Sequence, residues 1–284
     1  MDKVETIKIQ KNPIKFIVAR LLMRLKLSKY FITNLDHYSL RFYPTSLSMA
    51  LWLDSNYAHT ANYFFKDYLQ KGDTVLDIGA NIGTVTIECA LNIGNSGKVY
   101  SFEANPTIFD FLKGNIKLNN LDNIQIFNFA VGNKNGTIKF SNKRSDDQNS
   151  VIESSDGLKL PIKRLDDLPI KESSFDLMKI DVLGYEKFVF EGAKKILSKT
   201  KCIHFPAIQK DYEKYGYNFE YIKNFLVGQG FQIFSFNNNG GVSRIEIDYQ
   251  PKNEDLLAIK DLDDFTKRIS IGLSNRSRSF SNLV

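Results

Sequence analysis

One short stretch, residues 74–83, constrains the fold of this chain more than any other. Thr74 to Ile78 is mostly apolar or β-branched, as expected of a strand covered on both faces of a parallel sheet. Gly79 and Gly83 follow within a turn, and a helical pattern comes next. Glycines let a turn approach a ligand closely, and open α/β sheets bind ligands where their strands end. The stretch therefore predicts an α/β sheet with a ligand at this turn.

The glycine spacing narrows the class of ligand. The pattern G-x-x-x-G differs from the G-x-G-x-x-G of dinucleotide folds, and it lacks the Gly-Lys-Ser/Thr ending of a P-loop. The next predicted strand, Val99 to Phe102, runs into Glu103, whose carboxylate can accept both hydroxyls of a ribose. Because the turn has no basic residue for phosphates, S-adenosylmethionine is favoured. An ordinary turn without a ligand is the alternative interpretation.

Six motifs share their order and spacing with a known family. They are Asp77-Ile-Gly-Ala-Asn-Ile-Gly83, Phe102-Glu-Ala-Asn-Pro106, Asn115-Ile-Lys-Leu-Asn119, Ala130-Val-Gly132, Leu165-Asp-Asp-Leu168 and Lys179-Ile-Asp-Val-Leu-Gly-Tyr-Glu186. Together they make the stretch from about Gly72 to Lys260 resemble the FkbM-type family of S-adenosylmethionine-dependent methyltransferases.

The resemblance implies a class I methyltransferase fold, which is a Rossmann-like, seven-stranded, mostly parallel sheet with helices on both faces. It implies that the methionine end of the cofactor lies near Asp77, Gly79 and Asn81, that Glu103 holds the ribose and that Ala130 lies beside the adenine. The full set of expected cofactor-binding residues is Asp77, Gly79, Ala80, Asn81, Gly83, Glu103 and Ala130.

Past the glycine turn, apolar runs of strand length alternate with helical patterns. The predicted strands are Val75 to Ile78, Val99 to Phe102, Ile124 to Phe129, Leu177 to Asp181, Cys202 to Phe205, Phe231 to Phe236 and Leu256 to Lys260. The predicted helices are Thr84 to Leu91, Thr107 to Leu118, Tyr185 to Leu197 and Glu220 to Gly228. The last two strands are close in sequence, which suits a sheet whose final strand is antiparallel.

Two departures from the family pattern fall where catalysis is expected. Members usually have an acid where this chain has Leu183, and a glutamate where it has Pro206. A protonated hydroxyl is a poor nucleophile, so methyl transfer to oxygen benefits from a base. Asp181 is the first candidate for that base, followed by Glu186 and by His204, whose pKa lies near neutrality. Structural roles are open for Glu186 and His204, and no metal site is expected.

The leading hypothesis is an S-adenosylmethionine-dependent methyltransferase that acts on a hydroxyl of a small molecule or a glycan. Both the oxygen and the glycan are implied by the resemblance alone. The alternative is a cofactor-binding protein that has lost catalysis and serves as a partner or regulatory subunit, which Leu183 and Pro206 suggest.

Composition sets the remaining limits. A chain of 284 residues, of which 43% are hydrophobic, can bury one full α/β core without cross-links. Cys89 and Cys202 fall in predicted core elements, so no disulfide framework is expected and a reducing compartment fits. No apolar run reaches the length of a membrane span. A cytoplasmic protein is therefore expected. The expected division is an N-terminal extension over residues 1–70, a methyltransferase domain over residues 71–266 and a disordered tail over residues 267–284.

Positive charge is concentrated at the N-terminus. The first 30 residues have a net charge of +6, so the other 254 balance to zero. Ile14 to Leu27 interleaves large apolar residues with cations at helical spacing, which predicts a basic amphipathic helix. Residues 11–29 can bind peripherally to the inner membrane surface or contact an acidic partner. Alternatively, the helix packs on the domain with its lysines in water. Nucleic-acid binding is not expected.

Two further segments are candidates for contacts near the ligand. Tyr57, His59 and Tyr63 can line a pocket, although core packing is favoured for the two tyrosines. The polar loop from Ser145 to Ser150 is a candidate substrate lid or a mobile surface loop.

Overall fold

A computed structural model describes residues 12–55, 57, 59–141, 150–152, 157–237 and 241–281. Of the residues described before the glycine turn, three stretches are α-helical, Ser28–Tyr30 is a short 3₁₀ helix and two strands form a small hairpin. The α-helices and strands are α1 (Pro13–Arg24), β1 (Ile32–Asn34), β2 (Ser39–Arg41), α2 (Ser46–Leu53) and α3 (His59–Tyr68). Among the described residues, no helix is both long enough and apolar enough to cross a bilayer.

The rest of the chain alternates strands and helices, as predicted. The strands are β3 (Thr74–Ile78), β4 (Lys98–Phe102), β5 (Ile124–Phe127), β6 (Ala130–Val131), β7 (Gly136–Phe140), β8 (Val151–Ile152), β9 (Leu158–Lys163), β10 (Phe175–Ile180), β11 (Thr200–Ala207), β12 (Gln232–Phe236), β13 (Val242–Arg244) and β14 (Glu254–Ile259). The helices are α4 (Thr84–Ile93), α5 (Pro106–Leu118), α6 (Glu186–Glu191), α7 (Lys194–Ser198), α8 (Gln209–Glu213), α9 (Phe219–Gly228) and α10 (Leu262–Ser281).

The main sheet has the strand order β13-β12-β14-β11-β10-β3-β4-β5. Strands β5, β4, β3, β10 and β11 run parallel, and β14 lies antiparallel between β11 and β12. This arrangement confirms the predicted class I fold with its antiparallel last strand. Strand β13, at the edge, was not predicted.

Helices cover both faces of the main sheet. Neighbouring residues on a strand point to opposite sides, so each strand contributes to the core on both faces. Val75 and Leu177 are paired in the sheet and pack in one core cluster with residues of α3, α4 and α10. Their neighbours Leu76 and Met178 are also paired, and they pack in the other cluster with residues of α6, α7 and α9. Uninterrupted apolar runs such as that of β10 are therefore buried on both faces.

A second sheet of four strands, in the order β6-β9-β7-β8, follows β5. It accounts for the predicted interruption of the alternating pattern between residues 132 and 172. Phe140 in β7 and Val151 in β8 flank the loop that was predicted as a lid. The predicted lid runs from Ser145 to Ser150, and all of it except Ser150 lies outside the described residues.

The helix predicted from Tyr185 to Leu197 is two helices, α6 and α7. Gly192 separates them, and a Cβ built on it would lie 1.9 Å from the carbonyl oxygen of Gly132. Asp166 then accepts hydrogen bonds from the backbone N–H groups of Lys195 and Ile196, at 3.0 and 3.1 Å, and so caps the second helix. The break therefore results from a close backbone approach and a new helix cap.

The tail predicted to be disordered after Lys267 instead continues α10 to Ser281. Phe265 is buried against Tyr68, with 5.5 Å between ring centroids. Arg268 is also buried, and its guanidinium lies 2.6 Å from Asp73 and 3.0 Å from Asp176. The prediction of disorder was wrong here because a few residues fix the start of this helix to the main sheet.

Candidate active site

A cavity of about 300 Å³ lies at the carboxyl ends of the parallel strands. Strands β3, β4, β10 and β11 and the segment at β6 supply most of its wall, and Asp255 in β14 also contributes. The N-terminal part adds Leu47 and Phe65, and the small sheet adds Phe140 and Val151. The cavity is therefore closed by segments outside the main sheet, as a ligand site in this fold requires.

The glycine turn forms one wall of the cavity. Gly79 has φ +83°, and a Cβ there would lie 1.9 Å from the carbonyl oxygen of Asp181. Gly83 has φ +96°, and a Cβ there would lie 2.6 Å from Leu112 Cδ1. Only glycine fits at either position. Gly79 lines the cavity with Ala80 and Asn81, whereas Gly83 does not and instead caps the start of α4.

Glu103 lies beside this turn and also lines the cavity. Its two carboxyl oxygens accept hydrogen bonds from the backbone N–H groups of Asn81, at 2.9 Å, and Asn105, at 2.8 Å. Burial raises the pKa of Glu103 to about 7, although these hydrogen bonds oppose the shift. The carboxyl group is thus held in a fixed orientation and can still accept further hydrogen bonds from a ligand.

Asp77 was predicted to line the methionine end of the cofactor, but it lies outside the cavity wall. Its side chain is fully buried and accepts a hydrogen bond of 2.5 Å from Thr86 Oγ1. Lys179 Nζ lies 3.4 Å from Asp77 Oδ1, which has no hydrogen-bond partner among the described residues. Asp77 therefore acts beneath the turn, as the counter-charge of Lys179.

Lys179 connects the turn to the end of β10. Its ammonium donates a hydrogen bond to the carbonyl oxygen of Gly79 at 2.9 Å and lies 3.8 Å from Asp181 Oδ2. Burial alone lowers the pKa of Lys179, but the charges of Asp77 and Asp181 outweigh it and leave the pKa above its ordinary value. Lys179 is therefore paired with two acids, Asp77 and Asp181.

Ala130 in β6 lines the cavity together with its neighbours Phe129 and Val131. All three side chains are buried and apolar. This small apolar surface is suited to a flat aromatic ring such as a purine.

Two candidate bases meet the cavity on the side of β10 and β11. Asp181 lines it with a carboxylate that is 54% exposed. His204 lines it as well but is buried against Phe64 and Phe65, with ring centroids 5.8 and 5.3 Å away. Burial lowers the pKa of His204, so the imidazole is neutral at neutral pH and can accept a proton.

Asp255 is a cavity residue that sequence reasoning missed. It lies at the start of β14, and the antiparallel register places it opposite Pro206 in β11. Its carboxylate is 3.9 Å from His204 Nε2, and His204 Nδ1 has no hydrogen-bond partner among the described residues. An acid thus lies on the neighbouring strand directly opposite Pro206, the position at which the family resemblance leads us to expect a glutamate. The only signal in the sequence was that Asp255 directly precedes the strand predicted from Leu256 to Lys260.

Glu186, the third predicted catalytic residue, does not line the cavity. It is fully buried and accepts hydrogen bonds from the backbone N–H groups of Val182, at 3.2 Å, and Gly184, at 3.3 Å. Burial raises its pKa to about 7. Glu186 therefore shapes the turn that carries Leu183, which lines the cavity and has a left-handed φ of +54°.

The tyrosines of the N-terminal part do not reach the cavity. Tyr57 is 62% exposed and Tyr63 is 44% exposed. These two side chains therefore neither pack in the core nor line the pocket, contrary to both predictions. The side chain of His59 lies outside the described residues. The described part of the chain contains no group of three or more His, Cys, Asp and Glu residues that could hold a metal ion.

Comparisons with known proteins give one curated relative of moderate coverage. The 2-O-methyltransferase NoeI of Sinorhizobium fredii is 28% identical over 158 residues, which cover 48% of this chain and 64% of that protein. A protein of Saccharolobus solfataricus named "Probable cobalt-precorrin-6B C(15)-methyltransferase (decarboxylating)" is 40% identical over 57 residues, which cover 20% of this chain and 29% of that protein. The chain therefore spans less than two thirds of these relatives.

Among solved structures, Methyltransferase FkbM from Methylobacillus flagellatus is similar with a TM-score of 0.47 and 13% identity. The match covers 74% of this chain and 52% of that one.

The assignment to a family rests on a match to a family model. The model of the Methyltransferase FkbM domain matches residues 77–233, more than half of the chain. The matched region begins at Asp77, just before the glycine turn, and includes both Glu103 and His204. The chain belongs to the FkbM-domain family of S-adenosylmethionine-dependent methyltransferases, as its motifs predict.

Proposed function

We propose that this protein transfers the methyl group of S-adenosylmethionine to a hydroxyl oxygen of a small molecule or a glycan. The observation that carries the proposal is the set of residues that line the cavity described above. The segments at β3, β4 and β6 line it with a glycine turn, a buried carboxyl group and an apolar surface. Strands β10, β11 and β14 line it with groups that can accept a proton.

The residues present fit the cofactor. Glu103 would hold the ribose hydroxyls, since its carboxyl group lines the cavity and is oriented by two backbone hydrogen bonds. Ala130 would contact the adenine, and Gly79, Ala80 and Asn81 would contact the methionine end. In this proposal Asp77 and Gly83 shape the turn without touching the cofactor.

Methyl transfer to oxygen then requires a proton acceptor beside the hydroxyl. When bound, S-adenosylmethionine supplies an electrophilic methyl group on a sulfonium. His204 is the proposed base, because it lines the cavity beside the carboxylate of Asp255 and its imidazole is neutral at neutral pH. Asp255, 3.9 Å from Nε2, would stabilise the imidazolium that results. Asp181, whose carboxylate is largely exposed, would accept a hydrogen bond from the hydroxyl and orient it.

The position of Asp255 also suggests why this chain can have Pro206 where the family pattern has a glutamate. Cross-strand partners in an antiparallel pair lie on the same face of the sheet. Because Asp255 is the partner of Pro206, it brings a carboxylate to the face where relatives carry a glutamate. We propose that Asp255 performs the role of that missing acid.

Hydroxyl oxygen is the proposed acceptor because the relative NoeI is named a 2-O-methyltransferase. We place the reaction in the cytoplasm, where free thiols such as those of Cys89 and Cys202 stay reduced. We also propose that residues 11–29 contact a membrane surface or an acidic partner.

The test is transfer of labelled methyl groups from S-adenosylmethionine to a panel of saccharides and small alcohols. His204→Gln and Asp255→Asn should each lower kcat, His204→Gln by about 100-fold, with an unchanged KM for S-adenosylmethionine. Asp263→Asn, an exposed acid on α10, is the matched control and should leave kcat unchanged. Cofactor binding without transfer to any acceptor would support the alternative function, a binding protein without catalysis.

Leu183→Glu separates the two functions further. This variant restores the acid that relatives carry. Equal activity in the natural chain and the variant would show that the acid is dispensable. Activity in the variant alone would show that the natural chain is inactive.

A further inference from the structure

Helix α1 has two apolar faces, of which only one is packed. Phe16 and Ala19 are buried, and Lys15 lies over the ring of Trp52 in α2, with its Nζ 5.6 Å from the ring centroid. At 3.6 residues per turn, the opposite face carries five large apolar side chains. They are Ile14, Ile17, Val18, Leu21 and Leu25, which are 74%, 50%, 43%, 53% and 55% exposed. We call these five residues the outer face.

Hydrogen bonds define both ends of α1, the helix that carries the outer face. Asn12 caps the start, and its side chain accepts a hydrogen bond of 3.2 Å from the backbone N–H of Lys15. At the other end Lys26 adopts a left-handed φ of 58°, and Leu27 N–H donates to the carbonyl oxygen of Leu22 at 2.9 Å. The outer face is therefore a preformed feature of a capped helix.

Cations flank the outer face on both sides. Around the helix axis, Lys15 lies on one side of it, and Arg20 and Arg24 lie on the other, while Lys26 follows the end of the helix. Residues 12–30 contain five cations and no acid, whereas residues 31–284 are electrically balanced. An apolar stripe flanked by cations is the pattern of a helix that lies in the interface of an anionic membrane.

Exposed apolar residues continue past the helix. Tyr30, Phe31 and Ile32 are 69%, 42% and 43% exposed. Tyrosine is a residue that favours the boundary between lipid and water, because its ring is apolar and its hydroxyl is polar. These residues extend the same basic and apolar segment in the chain.

We propose that the outer face of α1 binds the surface of an anionic lipid bilayer, with the apolar side chains among the acyl chains and the flanking cations on the headgroups. A second copy of the chain is a poorer occupant. A two-fold pairing of this face would bring the cations of both copies together, and like charges repel. The inference deepens the proposed contact of residues 11–29 and commits it to a lipid surface. It does not rest on the proposed methyl transfer, because neither cofactor nor acceptor takes part in it.

The test is flotation of the full chain with vesicles of phosphatidylcholine alone or with 30 mol% phosphatidylglycerol, a composition chosen as about that of an anionic leaflet. We expect at least about tenfold more bound protein on the anionic vesicles, and less in high salt. Ile17→Gln combined with Leu21→Gln should abolish binding, and Arg20→Gln combined with Arg24→Gln should remove the preference for anionic lipid. Ile247→Gln is the matched control, because Ile247 is 92% exposed and lies elsewhere.

The result that overturns the proposal is absence of binding, or equal binding to both vesicles. Two other occupants would also be revealed. A dimer seen by light scattering and lost in the Ile17 and Leu21 variant, without vesicle binding, would assign the face to a second copy. Binding to poly-L-glutamate that needs Ile17 and Leu21, without vesicle binding, would assign it to an acidic protein. Circular dichroism would confirm that each variant is folded.

Discussion

Glu103 shows at the scale of one residue how burial links the cavity to pH. Its carboxyl group is oriented by the N–H groups of Asn81 and Asn105, yet burial raises its pKa to about 7. Accepting two ribose hydroxyls requires the ionised form. Near neutral pH the residue is therefore divided between an ionised form, which the proposed contact with the ribose needs, and a protonated form.

This division predicts that affinity for S-adenosylmethionine falls as the pH drops through 7. The apparent Kd should be about tenfold higher at pH 6 than at pH 8, because only about a tenth of Glu103 is ionised at pH 6. Calorimetric titration at the two pH values measures this. Glu103→Gln should bind weakly at both, without a pH dependence. An equal Kd at pH 6 and pH 8 for the natural chain would contradict the role of the Glu103 carboxylate.

Leu183 is the second residue whose local state has a measurable consequence. It lines the cavity with a φ of +54°, in a turn held by Glu186 and by the hydroxyl of Tyr217, which donates to the carbonyl oxygen of Gly184 at 2.7 Å. Left-handed backbone costs a residue with a Cβ about 1 kcal/mol. The turn therefore holds Leu183 in a strained conformation at the cavity wall.

Leu183→Gly should be more stable than Leu183→Ala by about 1 kcal/mol, because glycine adopts this φ without strain. Comparing these two variants cancels most of the loss of the leucine side chain. Unfolding in urea measures the difference in free energy. If Leu183→Ala were equal to or more stable than Leu183→Gly, the turn would not be strained at this position.

At the scale of elements, α10 depends on contacts between distant parts of the chain. Arg268 is buried and contacts Asp73 and Asp176 in the main domain as well as Asp264 in its own helix. Asp73 precedes β3 and Asp176 lies in β10, next to the strand that leads to the glycine turn. This ion-pair cluster therefore fixes α10 to the two central strands.

Removing the guanidinium should leave the buried Asp73 without its cationic partner, and Asp176 with Lys201 alone, at 2.8 Å. Arg268→Met keeps an apolar side chain, and we expect it to lower the free energy of unfolding by about 3 kcal/mol. Arg244→Ala, at an exposed arginine, is the control and should change it by no more than about 0.5 kcal/mol. Chemical denaturation measures both. A loss below about 1 kcal/mol in Arg268→Met would mean that the cluster does not anchor the helix.

These elements also show which parts of the fold were predictable. Strand β10 is an uninterrupted apolar run, and α5 begins with Asn105 and Pro106, so local sequence was enough to predict both. The order of the tail was not predictable, because Arg268 and Asp73 are 195 residues apart. The contribution of Asp255 depends on its register with Pro206, which no local pattern reveals.

At the scale of the whole molecule, the N-terminal part and the main sheet together line the candidate site. Asn115 in α5 accepts a hydrogen bond of 2.9 Å from the N–H of Arg41 and donates one of 2.8 Å to the carbonyl oxygen of Ile82. It thus fastens the hairpin of β1 and β2 to the glycine turn. Leu47 and Phe65 then complete the cavity from the same N-terminal part. A sequence pattern could predict an N-terminal extension before the methyltransferase domain, but it could not predict which residues of the extension face the ligand.

The central claim is that the cavity at the glycine turn binds S-adenosylmethionine through Glu103. Calorimetric titration of the full chain with S-adenosylmethionine, and separately with NAD, tests it most directly. We predict saturable binding of S-adenosylmethionine only, about 100-fold weaker in Glu103→Ala and unchanged in Glu246→Ala, an exposed acid used as the control. Absence of S-adenosylmethionine binding, tighter binding of NAD, or an unaltered Kd in Glu103→Ala would contradict the claim.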